Sequence, residues 1–410
     1  MSRRKTVYSV LIILLFAASI TIVLLFLRRA PAAISSGRLG KGNLIFEGMK
    51  KVEESKEEKV YLEKSWSYEK DSLYNELFCT KEQMVLASPR GVVALNKNSG
   101  KELWKTESKP EVYEKHFENY YDTQYGSLYN DRVFYNYEDS IAVMRVEDGK
   151  ELKRIKAPGN SKYQFFGVQN NVLYAYCVNT CIYAIDLNNE GIRWRLSLSS
   201  GKMVDMKIDK QILYYCSEEH ISAVYASSGK EKWKVDIKVQ DYYPTRMISD
   251  EERIYIFYNS TKGLGGMVRV FSKDKGKDLW KTAYEDWIYN QAAANGKLYL
   301  LGNKNDVNLG KLIIMDAESG KTEATKELEN DAYYQIALTK NYVYVVNNLG
   351  HILLLDSSTG EIKKQIIFQG ENKTSAILIE NDSIIITGIN ISASIDEKEI
   401  KSNLKIIRLK

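Results

Sequence analysis

Runs of four or five apolar residues recur along the chain from about residue 61 to its end, each bounded by polar turn residues. They come in sets. One set reads KLYLLGN (297–303), KLIIMDAESG (311–320) and KTEATKEL (321–328); another reads YVYVVNN (342–348), HILLLDSSTG (351–360) and EIKKQIIF (361–368). Short apolar runs between turn signals describe strands covered on both faces. No stretch sustains the 3.6-residue spacing of an amphipathic helix, so the pattern predicts an all-β chain.

One phrase punctuates the sets: an apolar strand, a polar turn ending in Gly, then a charged strand that often reaches Trp. It appears as SGKELW (99–104), DGKELK (148–153), EGIRW (190–194), SGKEKW (228–233), KGKDLW (275–280), SGKTEA (319–324) and TGEIKK (359–364). Its glycines, from Gly100 through Gly191 to Gly360, recur about every 43 residues, which is the period of a blade array. A short hairpin loop usually needs one residue at positive φ, and Gly adopts it without a Cβ clash.

After the seventh unit the chain offers two more strand-like runs, SIIITGI (383–389) and LKIIRLK (404–410). Near the start lies an unpartnered segment, YLEKSWSYEK (61–70), whose Trp66 matches the Trp of the other units. Set as the outer strand of the last blade, that segment closes the ring and removes the sheet edges. The expected fold is therefore an eight-bladed β-propeller over 61–410, closed by its N-terminal strand. Seven blades, with the C-terminal strands serving otherwise, is the alternative.

The segment ALNKNSGKELW (94–104) and the less complete IIMDAESGK (313–321) and LLLDSSTGE (353–361) carry the pattern apolar-Asp/Asn-x-x-x-Gly-x-x-x-Trp. This pattern resembles the repeat of the PQQ-like β-propeller superfamily, most closely its non-enzymatic, BamB-like branch, over about 345 of the 410 residues. The resemblance implies that Trp66, Trp104, Trp194, Trp233 and Trp280 dock one blade against the next. Lys153, Ala324 and Lys364 stand in the Trp position of their units, where looser docking is expected. The superfamily also contains quinone-dependent dehydrogenases, which use an adjacent-cysteine disulfide, a calcium site and a catalytic Asp. No two cysteines are adjacent in this chain, and no such cluster carries over.

Val7 to Leu27 is a largely apolar run without charge. As a helix it would be about 31 Å long, the thickness of a bilayer's hydrocarbon core. Residues 1–6 then form a short cytoplasmic tail, 7–27 a transmembrane signal anchor and 28–60 a stalk containing the Glu/Lys run KKVEESKEEK (50–59). Arg3, Arg4 and Lys5 favour an inside N-terminus, although Arg28 and Arg29 flank the other end. The propeller is expected outside the cytoplasm, at the cell membrane.

A net charge of +5, from 58 basic and 53 acidic residues that interleave, leaves no stripe for nucleic acid. Catalytic, cofactor-binding and metal residues are all expected to be absent. Of three histidines, His220 and His351 hold the same repeat position on different blades, too far around a ring to act together. Asp186, Asp316 and Asp356 share a turn position, where a short carboxylate caps hairpin amides. Cys177 and Cys181 flank a short turn and are candidates for a hairpin disulfide; two half-buried thiols is the equal alternative.

The remaining signal is aromatic. YYDTQY (120–125), YQFF (163–166), DYYPTR (241–246), DWIYNQ (286–291) and AYYQ (332–335) lead toward the apolar strands of their units, with amides interspersed. Read as connections, they would converge on one face near the central channel. The candidate partner or ligand face is Tyr121, Tyr125, Phe165, Tyr243, Arg246, Trp287, Gln291, Tyr334 and Gln335. Flat apolar faces with hydrogen-bonding edges suit a peptide or a glycan; the plainer reading is that these aromatics fill gaps between blades. The expected function is a non-catalytic scaffold docking an envelope protein. A sensor for a cell-wall glycan or small molecule is the alternative.

Overall fold

The computed structural model describes residues 62–409 except 71–75, 89–90, 108–123, 138, 179–180, 199–201, 264, 304–309, 329–332, 340, 348–351, 367–372, 381–382 and 392–399. The anchor and stalk expected over 7–60 lie outside the described residues, among which no helix is long and apolar enough to cross a membrane.

Among the described residues, 32 strands form eight antiparallel sheets of four. Seven sheets are simple meanders: blades 1 to 7 span 76–107, 126–156, 163–197, 203–236, 242–284, 287–328 and 333–366. In blade 8, Lys373–Glu380 is innermost, Ser383–Ile391 and Ile400–Leu409 follow, and the N-terminal Leu62–Lys70 is outermost. Each innermost strand neighbours those of the blades before and after it, and that of blade 1 meets that of blade 8, so the sheets close a ring. The chain is a β-propeller.

Among the described residues, each of six buried apolar clusters is drawn from two consecutive blades. One joins Phe134 and Ile141 of blade 2 to Leu173 and Tyr183 of blade 3; another joins Ile221 and Trp233 of blade 4 to Ile254 and Phe271 of blade 5. Burial on both faces explains the unbroken apolar runs of the two middle strands, such as Val172–Cys177 and Cys181–Asp186. Outermost strands have one free edge and are laced with Lys and Arg, as in ELKRIK and IRWRLS, which discourages edge-to-edge pairing.

The Trp of one blade lies over the third-to-fourth-strand turn of the next. Trp104, Trp194, Trp233 and Trp280 donate their indole N–H to the carbonyls of Val146, Ala226, Lys273 and Ala317 at 2.8, 2.8, 3.0 and 3.0 Å. Under each ring sits the turn glycine, Gly149, Gly229, Gly276 or Gly320, at φ of 66–70°. A Cβ there would come within 2.5–2.8 Å of the indole. Glycine is thus required twice, for the left-handed backbone and for the ring above it. A bulge precedes each of these tryptophans, and a bulge also precedes Trp66, which pairs with Ile406.

Blade 3 corrects the sequence register. Its repeat glycine is not Gly191; the left-handed position belongs to Glu190, at φ 60°. The reason lies in blade 2, where Lys153 replaces Trp and no ring covers the turn. The Lys153 ammonium instead reaches the Leu187 carbonyl, equivalent to those bound by the tryptophans, and pairs with Glu190 at 3.7 Å. Between blades 6 and 7, where Ala324 replaces Trp, Ile314 covers Gly360 and the Tyr299 hydroxyl donates to the Ser357 carbonyl at 2.6 Å.

Candidate functional site

The aromatic segments are not connections. Tyr163–Gln169, Tyr242–Ser249, Trp287–Ala294 and Tyr333–Leu338 are themselves the innermost strands of blades 3, 5, 6 and 7, and Tyr125 directly precedes that of blade 2. An innermost strand has one edge open to the channel, so it does not read as an apolar run. Pro244, which lacks an N–H, is tolerated at that edge. Since every blade runs the same way, the starts of these strands share one end of the ring.

The segments therefore meet at one rim, but their side chains divide. Tyr125, Tyr163 and Phe166 are buried in the clusters between blades, and Gln164 and Gln291 are buried as well. Phe165 is half-buried and stacks on Tyr176, with centroids 6.5 Å apart. Tyr243 is 47% exposed and Arg246 also reaches solvent. Trp287 opens the innermost strand of blade 6, and Tyr334 and Gln335 lie near the start of that of blade 7; their side chains, and all of Tyr121, fall outside the described set.

Among the described residues, six innermost strands carry a bulge one to three residues into their pairing: after Tyr163, Met203, Pro244, Ile288, Tyr333 and Thr374. The next paired residue is Phe165, Asp205, Arg246, Asn290, Gln335 or Ala376, so in blades 4 to 7 a polar residue holds the same register position of the innermost strand. A bulge re-aims the side chain that follows it. Here the re-aimed groups bind backbone: Asp205 Oδ1 accepts the Met206 N–H at 2.7 Å, and Asn290 Oδ1 accepts that of Gln291 at 2.9 Å. Asp205 also accepts the N–H of Met247 on blade 5. A similar link joins blades 2 and 3, where Gln124 Oε1 accepts the Phe166 N–H at 3.1 Å.

Charge concentrates where blades 4 and 5 meet. Burial pushes the Asp205 carboxyl up to about 6, against the opposing effects of its two backbone donors and of Arg246 and Lys207. Burial lowers the pKa of Lys207 and of Arg246. Further out, the buried Lys273 binds the Asp209 carboxylate, donates to the Asp250 carbonyl at 2.6 Å and lies 5.7 Å from the centre of the Tyr214 ring. Sequence reading missed Asp205, Lys207 and Asn290. The alternation of Asp205, Lys207 and Asp209 at every second residue of a strand was the available signal.

The other chemical candidates are dispersed. Cys177 and Cys181 stand at the ends of adjacent strands one pair beyond Tyr176 and Ile182, and both are buried in one cluster. His220 begins the third strand of blade 4, and His351 is outside the described residues. Asp186, Asp316 and Asp356 cap their turns: Asp316 Oδ1 accepts from the Ser319 N–H at 2.7 Å, and Asp356 is held down to about 2 by Ser358 and Thr359. Among the described residues no three His, Cys, Asp or Glu side chains converge as a metal site.

A family model described as outer membrane protein assembly factor BamB matches residues 89–366. No curated protein matches the sequence. Among solved structures, BamB from Moraxella catarrhalis is similar at 11% identity and a TM-score of 0.59, covering 85% of this chain and 98% of that one. The quinohemoprotein alcohol dehydrogenase from Comamonas testosteroni is similar at 13% identity and a TM-score of 0.60, covering 85% and 76%. The computationally designed Ika8 protein is similar at 14% identity and a TM-score of 0.61, covering 81% and 96%. At these identities the likeness is one of fold, shared by enzymes and non-enzymes alike.

Proposed function

The chain belongs to the family described as outer membrane protein assembly factor BamB, within the PQQ-like repeat propellers, and on that premise we propose that it is a membrane-anchored, non-catalytic scaffold that docks another protein of the cell envelope. The observation that carries this reading is the family match over most of the ring. Two features of the chain support it. The uncharged run Val7 to Leu27 suits a signal anchor that leaves the propeller outside the cytoplasm. The shared rim of the innermost strands exposes Tyr243 beside polar groups, a composition typical of interface hot spots.

Cross-linking of the full-length protein in its native membrane, followed by mass spectrometry, tests the scaffold. A reproducible envelope protein captured through the rim is expected. No protein above the control, together with saturable binding of a cell-wall glycan fragment, would replace it with the second reading, a glycan or small-molecule sensor, which the exposed Tyr243 favours. Retention in the membrane pellet after alkaline carbonate extraction, with the propeller open to external protease, is the expected outcome for the anchor.

A further inference from the structure

We propose that the channel wall at blades 4 and 5 is a carboxylate-binding site centred on Arg246, with Lys207 as a second cation. The proposal rests on the reading of the innermost-strand rim as a docking face and names the chemistry it takes. Arg246 follows the bulge of blade 5 at the position that Asp205 holds on blade 4, and Lys207 lies two residues beyond Asp205 on the same strand. Both cations reach solvent.

Among the described residues, nothing accepts a hydrogen bond from either Arg246 or Lys207, although protein crowds both groups. Their neighbouring anions are committed elsewhere. Asp205 accepts the backbone N–H groups of Met206 and Met247, and Asp209 binds Lys273. A guanidinium in such a place presents a planar fork of donors that matches a carboxylate. Tyr243 stands two paired positions earlier on the strand, about 7 Å nearer the mouth, and its exposed ring gives the chain bearing that carboxylate an aromatic surface.

The test uses the full-length chain in detergent micelles and three probes: a blocked hexapeptide with two Glu residues, the same peptide with Gln, and free glutarate. Calorimetry should show saturable binding of the Glu peptide and little of the Gln peptide. Arg246→Gln should weaken binding about tenfold or more at an unchanged melting temperature, as expected for one lost charge-assisted contact. Lys207→Gln should weaken it less. Glutarate binding as tightly as the Glu peptide would assign the site to free carboxylates; a tighter Glu peptide assigns it to an acidic segment of a partner.

Should Arg246→Gln fail to fold, Arg246→Lys retains the charge without the fork and should still lose affinity. Absence of binding by both carboxylate probes, or affinity indifferent to Arg246→Gln and Lys207→Gln, overturns the site. The two readings part cleanly: an envelope partner that cross-links equally well to Arg246→Gln leaves the scaffold standing without this site. Glu-peptide binding with no cross-linked partner does the reverse.

Discussion

Lys153 and Glu190 replace, between blades 2 and 3, the tryptophan and glycine that join the blades at four other junctions of the ring. The ammonium takes the carbonyl that an indole N–H takes in other blades, and the carboxylate answers it at 3.7 Å. The exchange is coupled because an indole over the turn leaves no room for a Cβ. Lys153→Trp alone should therefore destabilise the protein, and Glu190→Gly alone should change little, trading left-handed strain against a weak surface ion pair. Together they should restore stability, with a coupling of about 1–3 kcal/mol in a denaturation cycle. Additive effects would mean that the two positions do not meet.

Trp233 and Gly276 provide the complementary case. Trp233 is buried against blade 5 and donates to the Lys273 carbonyl at 3.0 Å. Trp233→Ala should cost about 3–5 kcal/mol. Gly276→Ala places a Cβ 2.6 Å from the ring at φ 66°, and should cost about 1–3 kcal/mol. In the double variant the clash is gone, so its loss should fall short of the sum. An unchanged melting temperature for Trp233→Ala would refute the blade register.

Much of this fold is legible in the sequence because it is periodic: turn residues and buried middle strands repeat in register, and each repetition corrects the reading of the others. Innermost strands are not legible in the same way. DYYPTR looks like a loop because its strand has a proline, a bulge and a channel edge, yet it is paired from Tyr242 onward. Gly191 misled for a different reason: the glycine follows the left-handed residue, and only the loss of Trp from blade 2 explains why Glu190 can stand there. The polar positions after the bulges were hidden because a bulge breaks the period-two alternation from which a facing is read.

Cys177 and Cys181 sit opposite each other at the end of one hairpin, in the same apolar cluster. Burial pushes the Cys177 thiol up to about 12, which leaves little thiolate at neutral pH. Alkylation of the folded, reduced protein by iodoacetamide should be at least about a hundredfold slower at Cys177 than for a free thiol, and normal after denaturation. Fast labelling of the folded protein would place the hairpin outside the core. Mass spectrometry without reductant reads directly whether the pair is bonded in material taken from the membrane.

Tyr243 and Trp287 separate a binding face from mere packing. Tyr243 is 47% exposed and joins no apolar cluster among the described residues, so Tyr243→Ala should leave the melting temperature within a degree or two of the parent, as for most exposed sites. Paired with Trp287→Ala, it should abolish capture of the partner while the ring stays folded. Loss of folding in the pair, with Tyr243→Ala alone silent in both assays, would make this part of the rim structural.

Asp205 gives the ring an unusual pH dependence. Its carboxyl is raised to about 6 by burial, from about 4 in an unfolded chain, so the folded state holds the proton more tightly. Its contribution to stability is complete below about pH 4 and is lost as the pH rises through 6. Asp148 and Asp356, depressed to about 2, act in the opposite sense at lower pH, which is why the parent's profile alone does not isolate Asp205. Asp205→Asn keeps an oxygen for the Met206 and Met247 N–H groups and removes the ionisation. In urea denaturation the variant should match or trail the parent at pH 4 and exceed it at pH 7.5, the difference growing mainly between those values. A difference that does not change with pH would show that Asp205 ionises in the folded ring as it does in water.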